Sequence, residues 1–184
     1  MSDTAKSDMD VDAFLAWAEA RDGRWELRDG RPLMMSPERA AHALTKYAAQ
    51  KALDSAIVRA GVPCRMFPDG MTVRITARTA FEPDALVVCS SPSDLSTMEI
   101  PNPVVVVEVL SPSTAADDQG VKLDGYFSLA SVQHYLILDA DRRVMIHHKR
   151  GEAGAIEMRI LRDGLVRLDP PGFEAEVAGF FVAE

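Results

Sequence analysis

The first third of the chain spaces its apolar positions as one helix followed by a hairpin would. Asp10 is suited to cap a short amphipathic helix, which the spacing predicts over Val11–Glu19. Asp29-Gly30 is a strong two-residue hairpin turn, and it predicts a pair of strands at Trp25–Leu27 and Arg31–Met35. The chain is therefore expected to start with a helix and a small antiparallel unit.

A second helix is predicted directly after this hairpin. Ser36-Pro37 offers serine as the N-cap and proline at the first helical position, and Gly61 is suited to follow the last helical residue. Residues 1–9, which precede the first helix, are mostly polar and carry several acids, and they are expected to form a loose tail.

Strands dominate the rest of the chain. Val104–Leu110 is a continuous apolar run of strand length, typical of a central strand that is buried on both faces. Residues 111–114, Ser-Pro-Ser-Thr, end this strand and offer caps for a helix that reaches about Ala130. The other predicted strands are Cys64–Phe67 and Met71–Ile75 around the turn Pro68-Asp69-Gly70, Phe81–Cys89, a hairpin of Gln133–Leu138 and Arg143–His148, and three short strands within Ile156–Ile160, Leu165–Leu168 and Phe173–Phe180.

This order of elements predicts an α/β fold in which α-helices flank a mixed β-sheet. With 184 residues, the chain is expected to form a single domain over residues 1–184. Hydrophobic residues make up 47% of the chain and charged residues 26%, a composition that excludes wholesale disorder and a coiled coil.

Charge narrows the range of functions. The formal net charge is −8, which disfavours a protein that binds nucleic acid by bulk charge alone but leaves open an enzyme that brings metal ions to a phosphate. Residues 82–124 hold eight acids and one lysine, whereas residues 142–150 hold four bases and no acid. This asymmetry indicates either a cation site near an anion-contacting surface or simply two solvated faces.

The cysteines and the termini suggest an ordinary intracellular protein. Cys64 and Cys89 form no metal-binding motif and are expected to be buried, reduced thiols. The N-terminus has no apolar core of a secretory signal. The longest uninterrupted apolar run, Val104–Val107, is far too short to span a bilayer, so we expect a cytoplasmic protein without a membrane segment.

Two carboxylates stand out because each lies on an apolar strand. Glu108 interrupts the run Val-Val-Val-Val-Glu-Val-Leu, where a carboxylate is costly unless it is paired or binds a metal. Asp84 follows Pro83 at the start of another apolar strand. Neighbouring strands could bring both side chains to one cation such as Mg²⁺, which prefers oxygen ligands. The alternatives are that Glu108 points to water at the strand end and that Asp84 is an ordinary strand-starting acid.

Lys122 is the third candidate. It lies on the helix predicted after the Glu108 strand, and Tyr126 lies one helical turn further on the same face. Because this helix starts where the strand ends, the side chains on that face can point toward the two carboxylates. The alternative is an exposed lysine that pairs with Asp118, four residues before it.

Taken together, these residues carry a resemblance to known enzymes. The order of Pro83-Asp84, Glu108 in Val-Glu-Val-Leu-Ser-Pro-Ser-Thr, Lys122 and Tyr126 resembles the PD-(D/E)XK nuclease superfamily. More closely, it is similar to the Uma-type family, whose members are described as putative restriction endonucleases. The resemblance covers roughly residues 10–150, and further matching pieces are Trp25-Glu26-Leu27-Arg28-Asp29-Gly30, Met35-Ser36-Pro37, His42, Asp117 or Asp118, and Tyr135 in a strand ending at Asp139.

The resemblance implies a restriction-endonuclease-like fold and Mg²⁺- or Mn²⁺-dependent hydrolysis of nucleic-acid phosphodiester bonds, with DNA as the expected substrate. It implies that Asp84 and Glu108 ligate the cation, with the carbonyl of Val109 as a further ligand. The superfamily's basic pattern has its lysine two residues after the second acid, where this chain has Leu110. The resemblance assigns that role to Lys122, which would orient the attacking water or stabilise negative charge at phosphorus.

Two further residues enter through the same resemblance. Glu26 would add a carboxylate to the site, the alternative being an exposed acid before a turn. His42 would contact phosphate or orient Glu26, the alternative being an ordinary surface or capping histidine.

The chain also departs from the family pattern. His134-Tyr135-Leu136 stands where the family often has Glu-Tyr-Trp, and Gly125 weakens the predicted Lys122 helix by roughly 1 kcal/mol relative to alanine. Neither change removes an expected metal ligand.

A non-catalytic nucleic-acid-binding or assembly module with the same fold is the main alternative function, and a hydrolase of small phosphoesters is a third. A homodimer is expected because many nucleases pair two subunits to cut two strands.

Overall fold

A computed structural model describes residues 8–90, 94–110 and 116–182 of the protein. Within these residues the chain forms three α-helices, twelve β-strands and two short 3₁₀ turns. The helices are α1 (Val11–Glu19), α2 (Ala40–Ala60) and α3 (Ala116–Ser128). The strands are β1 (Trp25–Arg28), β2 (Arg31–Met34), β3 (Arg65–Pro68), β4 (Val73–Thr76), β5 (Thr79–Phe81), β6 (Ala85–Val88), β7 (Val105–Val109), β8 (His134–Asp139), β9 (Val144–Arg150), β10 (Ile156–Leu161), β11 (Leu165–Leu168) and β12 (Phe173–Glu176).

A six-stranded mixed sheet forms the centre of the molecule, in the order β10-β9-β8-β7-β6-β3. Strands β7 and β8 are parallel, and the other neighbours are antiparallel. Alternate residues of β7 face opposite sides, so Val105 and Val107 pack with α2 whereas Val106 packs with α3. The prediction of a mixed sheet flanked by helices, with the Glu108 strand at its centre, is confirmed.

A second, four-stranded sheet carries the predicted hairpin, in the order β2-β1-β5-β4. Helix α1 covers it through Val11 and Phe14, which share a buried cluster with Leu27 and Ala80. The predicted boundaries of α1 are confirmed, and Asp10 caps it by accepting a hydrogen bond from the Ala13 amide. This sheet positions Glu26, which lies on β1.

The predicted strand Phe81–Cys89 is wrong as a single element. It is divided into β5 and β6, which belong to different sheets, and the break falls at Glu82-Pro83-Asp84. Pro83 has no amide hydrogen to donate and so cannot continue a ladder on both sides. The chain therefore crosses between the two sheets at the segment that carries Asp84.

Two expectations near the N-terminus also need correction. Helix α2 starts at Ala40 rather than at Ser36-Pro37. The carboxylate of Glu38 forms ion pairs with Arg24 and Lys46, and Arg39, directly before the helix, has an extended backbone. Residues 1–7 of the expected tail lie outside the described residues, but Met9 is buried, and its amide donates to the Gly30 carbonyl.

The expectation of reduced thiols is wrong, because Cys64 and Cys89 form a disulfide. The antiparallel register of β3 and β6 pairs Arg65 with Val88, so the next residues outward, the two cysteines, stand opposite each other. Both are half-buried. This pairing depends on the strand register, which the sequence pattern does not reveal.

Arg150, from the basic stretch of residues 142–150, has a structural role in the central sheet. The guanidinium of Arg150 donates to the carbonyls of Phe127, Leu129 and Val132 and so ties the end of α3 to β9. The predicted capping residues 111–114 lie outside the described residues, and α3 ends at Ser128 rather than near Ala130. Within the part of the chain described, no helix is long and apolar enough to cross a membrane.

Gly125 is required by the close approach of α3 to β5. A Cβ atom at this position would lie 2.7 Å from Cε2 of Phe81, whose side chain is fully buried. Gly120 lies on the same helix but is exposed, and a Cβ there would meet nothing within 4 Å. Substitutions at these two glycines therefore distinguish the effect of helix propensity from the effect of packing on stability.

We expect Gly125→Ala to lower the free energy of unfolding by about 1–3 kcal/mol, because the added methyl overpacks Phe81. Gly120→Ala should raise it by up to about 1 kcal/mol, because alanine is the better helix former and no clash opposes it. Urea unfolding of both variants and the wild type measures this difference. Stabilisation by both substitutions would contradict the packing account.

Candidate active site

The ammonium group of Lys122 lies between two carboxylates from different sheets. Its Nζ atom is 2.8 Å from Oε1 of Glu26 on β1 and 2.9 Å from Oε1 of Glu108 on β7. The Tyr126 hydroxyl donates to the same Glu108 oxygen at 2.8 Å. Lys122 and Tyr126 are one turn apart on α3, so a single helix face presents both donors to Glu108.

This cluster is almost closed to solvent, which sets its electrostatics. Burial raises the pKa of Glu108 to about 7, against the lowering effect of Lys122, and the charges of Asp84 and Glu26 raise it further. Burial alone would lower the pKa of Lys122, but Glu108 and Glu26 outweigh burial and raise it. Lys122 is therefore a permanent cation at neutral pH, and the carboxylates around it compete for positive charge.

Asp84 reaches the same region from the start of β6. Its amide donates to the Val107 carbonyl, and its Oδ2 atom accepts a hydrogen bond of 2.7 Å from the amide of Val109, the residue after Glu108. Burial alone would raise the pKa of Asp84, but its contacts with His42, Val109 and Lys46 lower it overall. Asp84 is therefore a buried acid that is held in its charged form.

Helix α2 contributes basic side chains on the other side of Asp84. His42 Nε2 lies 3.7 Å and Lys46 Nζ lies 3.6 Å from Asp84 Oδ1. One turn further along, Gln50 donates to the Asp84 carbonyl oxygen. Positions 42, 46 and 50 form a stripe along one face of α2, so this helix fixes the segment that joins the two sheets.

A network of ion pairs surrounds this stripe. The carboxylate of Asp69 is 2.5 Å from Lys46 and 3.1 Å from Arg24. Arg24 also contacts Glu38 and Glu82, each at 2.5 Å. Burial raises the pKa of Glu82 despite the opposing charge of Arg24. The Glu82 amide in turn donates to Oε1 of Glu26, which links this outer network to the Lys122 cluster.

The structure brings most of the predicted site residues into one region. Glu108, Lys122, Tyr126 and Glu26 are in direct contact, and Asp84 is bonded to the backbone next to Glu108. The alternative pairing of Lys122 with Asp118 stays untested, because the Asp118 side chain lies outside the described residues. Glu108 does not simply point to water, because its side chain is only 12% exposed.

One expectation differs in detail, because His42 contacts Asp84 rather than Glu26. The Val109 amide donates to Asp84, and the metal-ligand role of the Val109 carbonyl stays a prediction. Sequence reasoning missed Lys46, which is 4% exposed and meets three carboxylates. Its spacing of four residues from His42 was the available signal.

The donor atoms of this region fit a hard divalent cation. Glu38, His42 and Asp84 each offer one ligand atom, and these atoms lie within 4.8 Å of one another. The carboxylates of Glu26 and Glu108 are not in this group and contact Lys122 instead. Buried carboxylates that raise one another's pKa, as Glu108 shows, are those a cation would stabilise.

Comparison with known proteins supports this fold. The fold matches the crystal structure of "a putative nuclease belonging to DUF820" from Anabaena variabilis with a TM-score of 0.71 and 15% identity, over 94% of this chain and 97% of that one. Two uncharacterized proteins of Synechocystis sp. are similar in sequence. The protein sll1609 is 30% identical over 96 residues (45% of this chain, 54% of the relative), and slr1290 is 27% identical over 141 residues (76% of this chain, 73% of the relative).

The chain thus spans about half the length of the first of these relatives and about three quarters of the second. A family model described as "Uma2: Putative restriction endonuclease" matches residues 11–179, which include every residue of the site above. The chain belongs to the Uma2 family.

Proposed function

We propose that the protein is a metal-dependent endonuclease that hydrolyses phosphodiester bonds, with DNA as its substrate. The observation that carries the proposal is the buried contact of Lys122 with Glu108 and Glu26, next to Asp84. Membership of a family of restriction-endonuclease-like proteins supports the same class of reaction.

In this proposal Asp84 and Glu108, with the carbonyl of Val109, would hold Mg²⁺ or Mn²⁺. When bound, such a cation polarises the phosphate and lowers the pKa of its water ligand. Lys122 stays protonated and directs its positive charge at the attacking water or at the charge developing on phosphorus. Tyr126 fixes the orientation of Glu108 through its hydroxyl, and Glu26 holds Lys122 from the opposite side.

A binding module without catalysis is the weaker alternative. Lys46 and Lys122 are buried among acids, so a module that binds phosphates through exposed cations would have no use for them. Burying ionised groups costs free energy, so a site that keeps them without using them is difficult to explain. Cleavage assays distinguish the two functions.

We expect plasmid nicking or cleavage that requires Mg²⁺ or Mn²⁺ and is abolished by EDTA. Glu108→Ala should remove the activity, because it deletes a proposed ligand. Glu176→Gln is a matched control, since Glu176 is an exposed acid on β12, away from the site. Gel assays of the three proteins measure the effect. Equal cleavage by the Glu108 variant would overturn the assignment, and a lack of cleavage by any protein under any metal would favour the binding module.

Lys122→Met should lower the cleavage rate by about 10²–10³-fold while metal binding is retained, because the lysine is assigned to water and phosphate rather than to the cation. The substitution keeps the length of the side chain but leaves Glu26 and Glu108 facing each other without their cation. We therefore expect the variant to melt lower than the wild type in EDTA and to show a larger upward shift with Mn²⁺. Wild-type cleavage under conditions where chemistry limits the rate would refute this role.

Glu108→Gln should be as stable as the metal-free wild type, or more stable, at pH 8. The pKa of Glu108 is raised to about 7 in the folded protein, so its favourable contribution is present at low pH and is lost as the pH rises through 7. The glutamine variant does not lose stability in this way. Its free energy of unfolding relative to the wild type should therefore grow by about 1–3 kcal/mol between pH 5 and pH 8. Thermal melts in EDTA across this range measure it.

Metal should reverse that order. A ligand at about 100 times its dissociation constant adds ~2.7 kcal/mol to stability, so Mn²⁺ should stabilise the wild type strongly and the glutamine variant much less. A variant that melts well below the wild type in EDTA, with no metal-induced shift in either protein, would exclude a metal site at Glu108.

A further inference from the structure

Strand β10 is an edge strand that lacks most of the usual protections of an edge. Among the described residues β9 is its only hydrogen-bonded neighbour, and residues 156–160 are all exposed. Native edge strands are normally blunted by short length, charged side chains, proline, a bulge or a covering element, and of these β10 has only the charges of Glu157 and Arg159. Strand β10, Ile-Glu-Met-Arg-Ile-Leu, is six residues long, regularly paired to β9, and contains no proline or lysine.

The two faces of β10 differ in chemistry. Ile156, Met158 and Ile160 lie on one face and are 42%, 59% and 58% exposed. Glu157 and Arg159 lie on the other face, because successive residues of a strand alternate. The edge thus presents an apolar stripe on one side and one charge of each sign on the other.

The apolar stripe continues the buried face of the sheet that carries α3. Met158 is paired with His148 and Ile160 with Ile146, and these in turn are paired with Tyr135 and Ile137 on β8. Tyr135 and Ile137 are core residues that pack with α3. The core face therefore runs out to an open edge at β10.

We propose that β10 pairs antiparallel with β10 of a second copy of this chain, about a twofold axis at Met158, to form a continuous twelve-stranded sheet. A twofold axis that relates two antiparallel edge strands is perpendicular to the sheet, so each face stays on its own side. Opposite residues must then lie on the same face. This restricts the axis to a residue rather than to the gap between two residues.

Charge complementarity selects Met158 among the central positions. With the axis at Met158, Glu157 stands opposite Arg159 of the second copy, and Arg159 stands opposite its Glu157. The apolar face then pairs Ile156 with Ile160 and Met158 with itself. An axis at Glu157 or at Arg159 would instead place two like charges directly opposite each other, which destabilises a strand pair.

Charge reversal tests this register directly. In Glu157→Arg, the new arginine of each copy should face Arg159 of the other. In Arg159→Glu, the new glutamate of each copy should face Glu157 of the other. Each variant alone should therefore be monomeric. An equimolar mixture of the two variants should form heterodimers, because every cross-strand pair is again of opposite charge. Sedimentation at about 10 µM is suited to see this, since the dimer has twice the mass of the 20.1 kDa chain.

We expect the wild type to sediment as a dimer and each charge variant to raise the dissociation constant at least about tenfold. Both side chains are exposed. Arg159→Glu should therefore melt like the wild type, whereas Glu157→Arg should melt slightly lower, because residue 157 pairs with Lys149 on β9 of its own chain. Arg167→Glu, at an exposed position on β11, is the matched control and should leave the dimer intact. A wild type that stays monomeric at about 100 µM, or a dimer that neither charge variant weakens, would overturn the proposal.

Cross-linking provides a second and independent test. Met158→Cys should form a disulfide-linked dimer under mild oxidation, because residue 158 faces its own copy at the axis. Ile156→Cys should not, because it faces Ile160 of the second copy. The native cysteines already pair within the chain and do not compete. Efficient cross-linking through residue 156 and none through residue 158 would exclude the axis at Met158.

Discussion

The contact of one ammonium group with two carboxylates joins the separate parts of this molecule. Lys122 comes from α3, Glu108 from the central sheet and Glu26 from the small sheet, and the three meet where solvent hardly reaches. Lys122 is the shared cation, so removing its charge would leave two buried carboxylates uncompensated, whereas removing one carboxylate charge leaves Lys122 paired with the other. The packing of both sheets on α3 therefore depends on a residue proposed to act on phosphate.

The acidic balance of the chain has a structural explanation in the same region. Glu26, Glu82, Asp84 and Glu108 converge from two strands and the segment that links the two sheets. Lys46, Lys122 and Arg24 are already committed to these and neighbouring acids. Arg150, from the basic stretch of the sequence, is committed to backbone carbonyls. These cations are thus already neutralised within the protein, and a bound divalent cation would add attraction for a polyanion at the site.

The sequence predicted those features that follow from local pattern. Glu108 was recognisable because a carboxylate within a run of valines needs a reason, and Lys122 with Tyr126 because their spacing places both on one helical face. The start of α2 was mispredicted. Glu38, just before the helix, forms ion pairs with Arg24, which is fourteen residues earlier in the chain, and with Lys46, which lies inside the helix. The disulfide and the role of Lys46 likewise depend on which strands become neighbours. Such contacts are tertiary, and no short window of sequence contains them.

The register of the central sheet also fixes a distance. Met158, His148, Tyr135 and Val106 form one row across four strands, and Glu108 lies two residues beyond that row on β7. Strand spacings of about 4.8 Å and a rise of about 3.4 Å per residue then put the two Glu108 residues of a dimer joined at Met158 roughly 35 Å apart along the sheet. A twist of about 20–25° between neighbouring strands, accumulated over the seven spacings that separate them, would turn the two Glu108 side chains in different directions. The two proposed centres of such a dimer would therefore act on separate segments of a substrate rather than side by side on one surface.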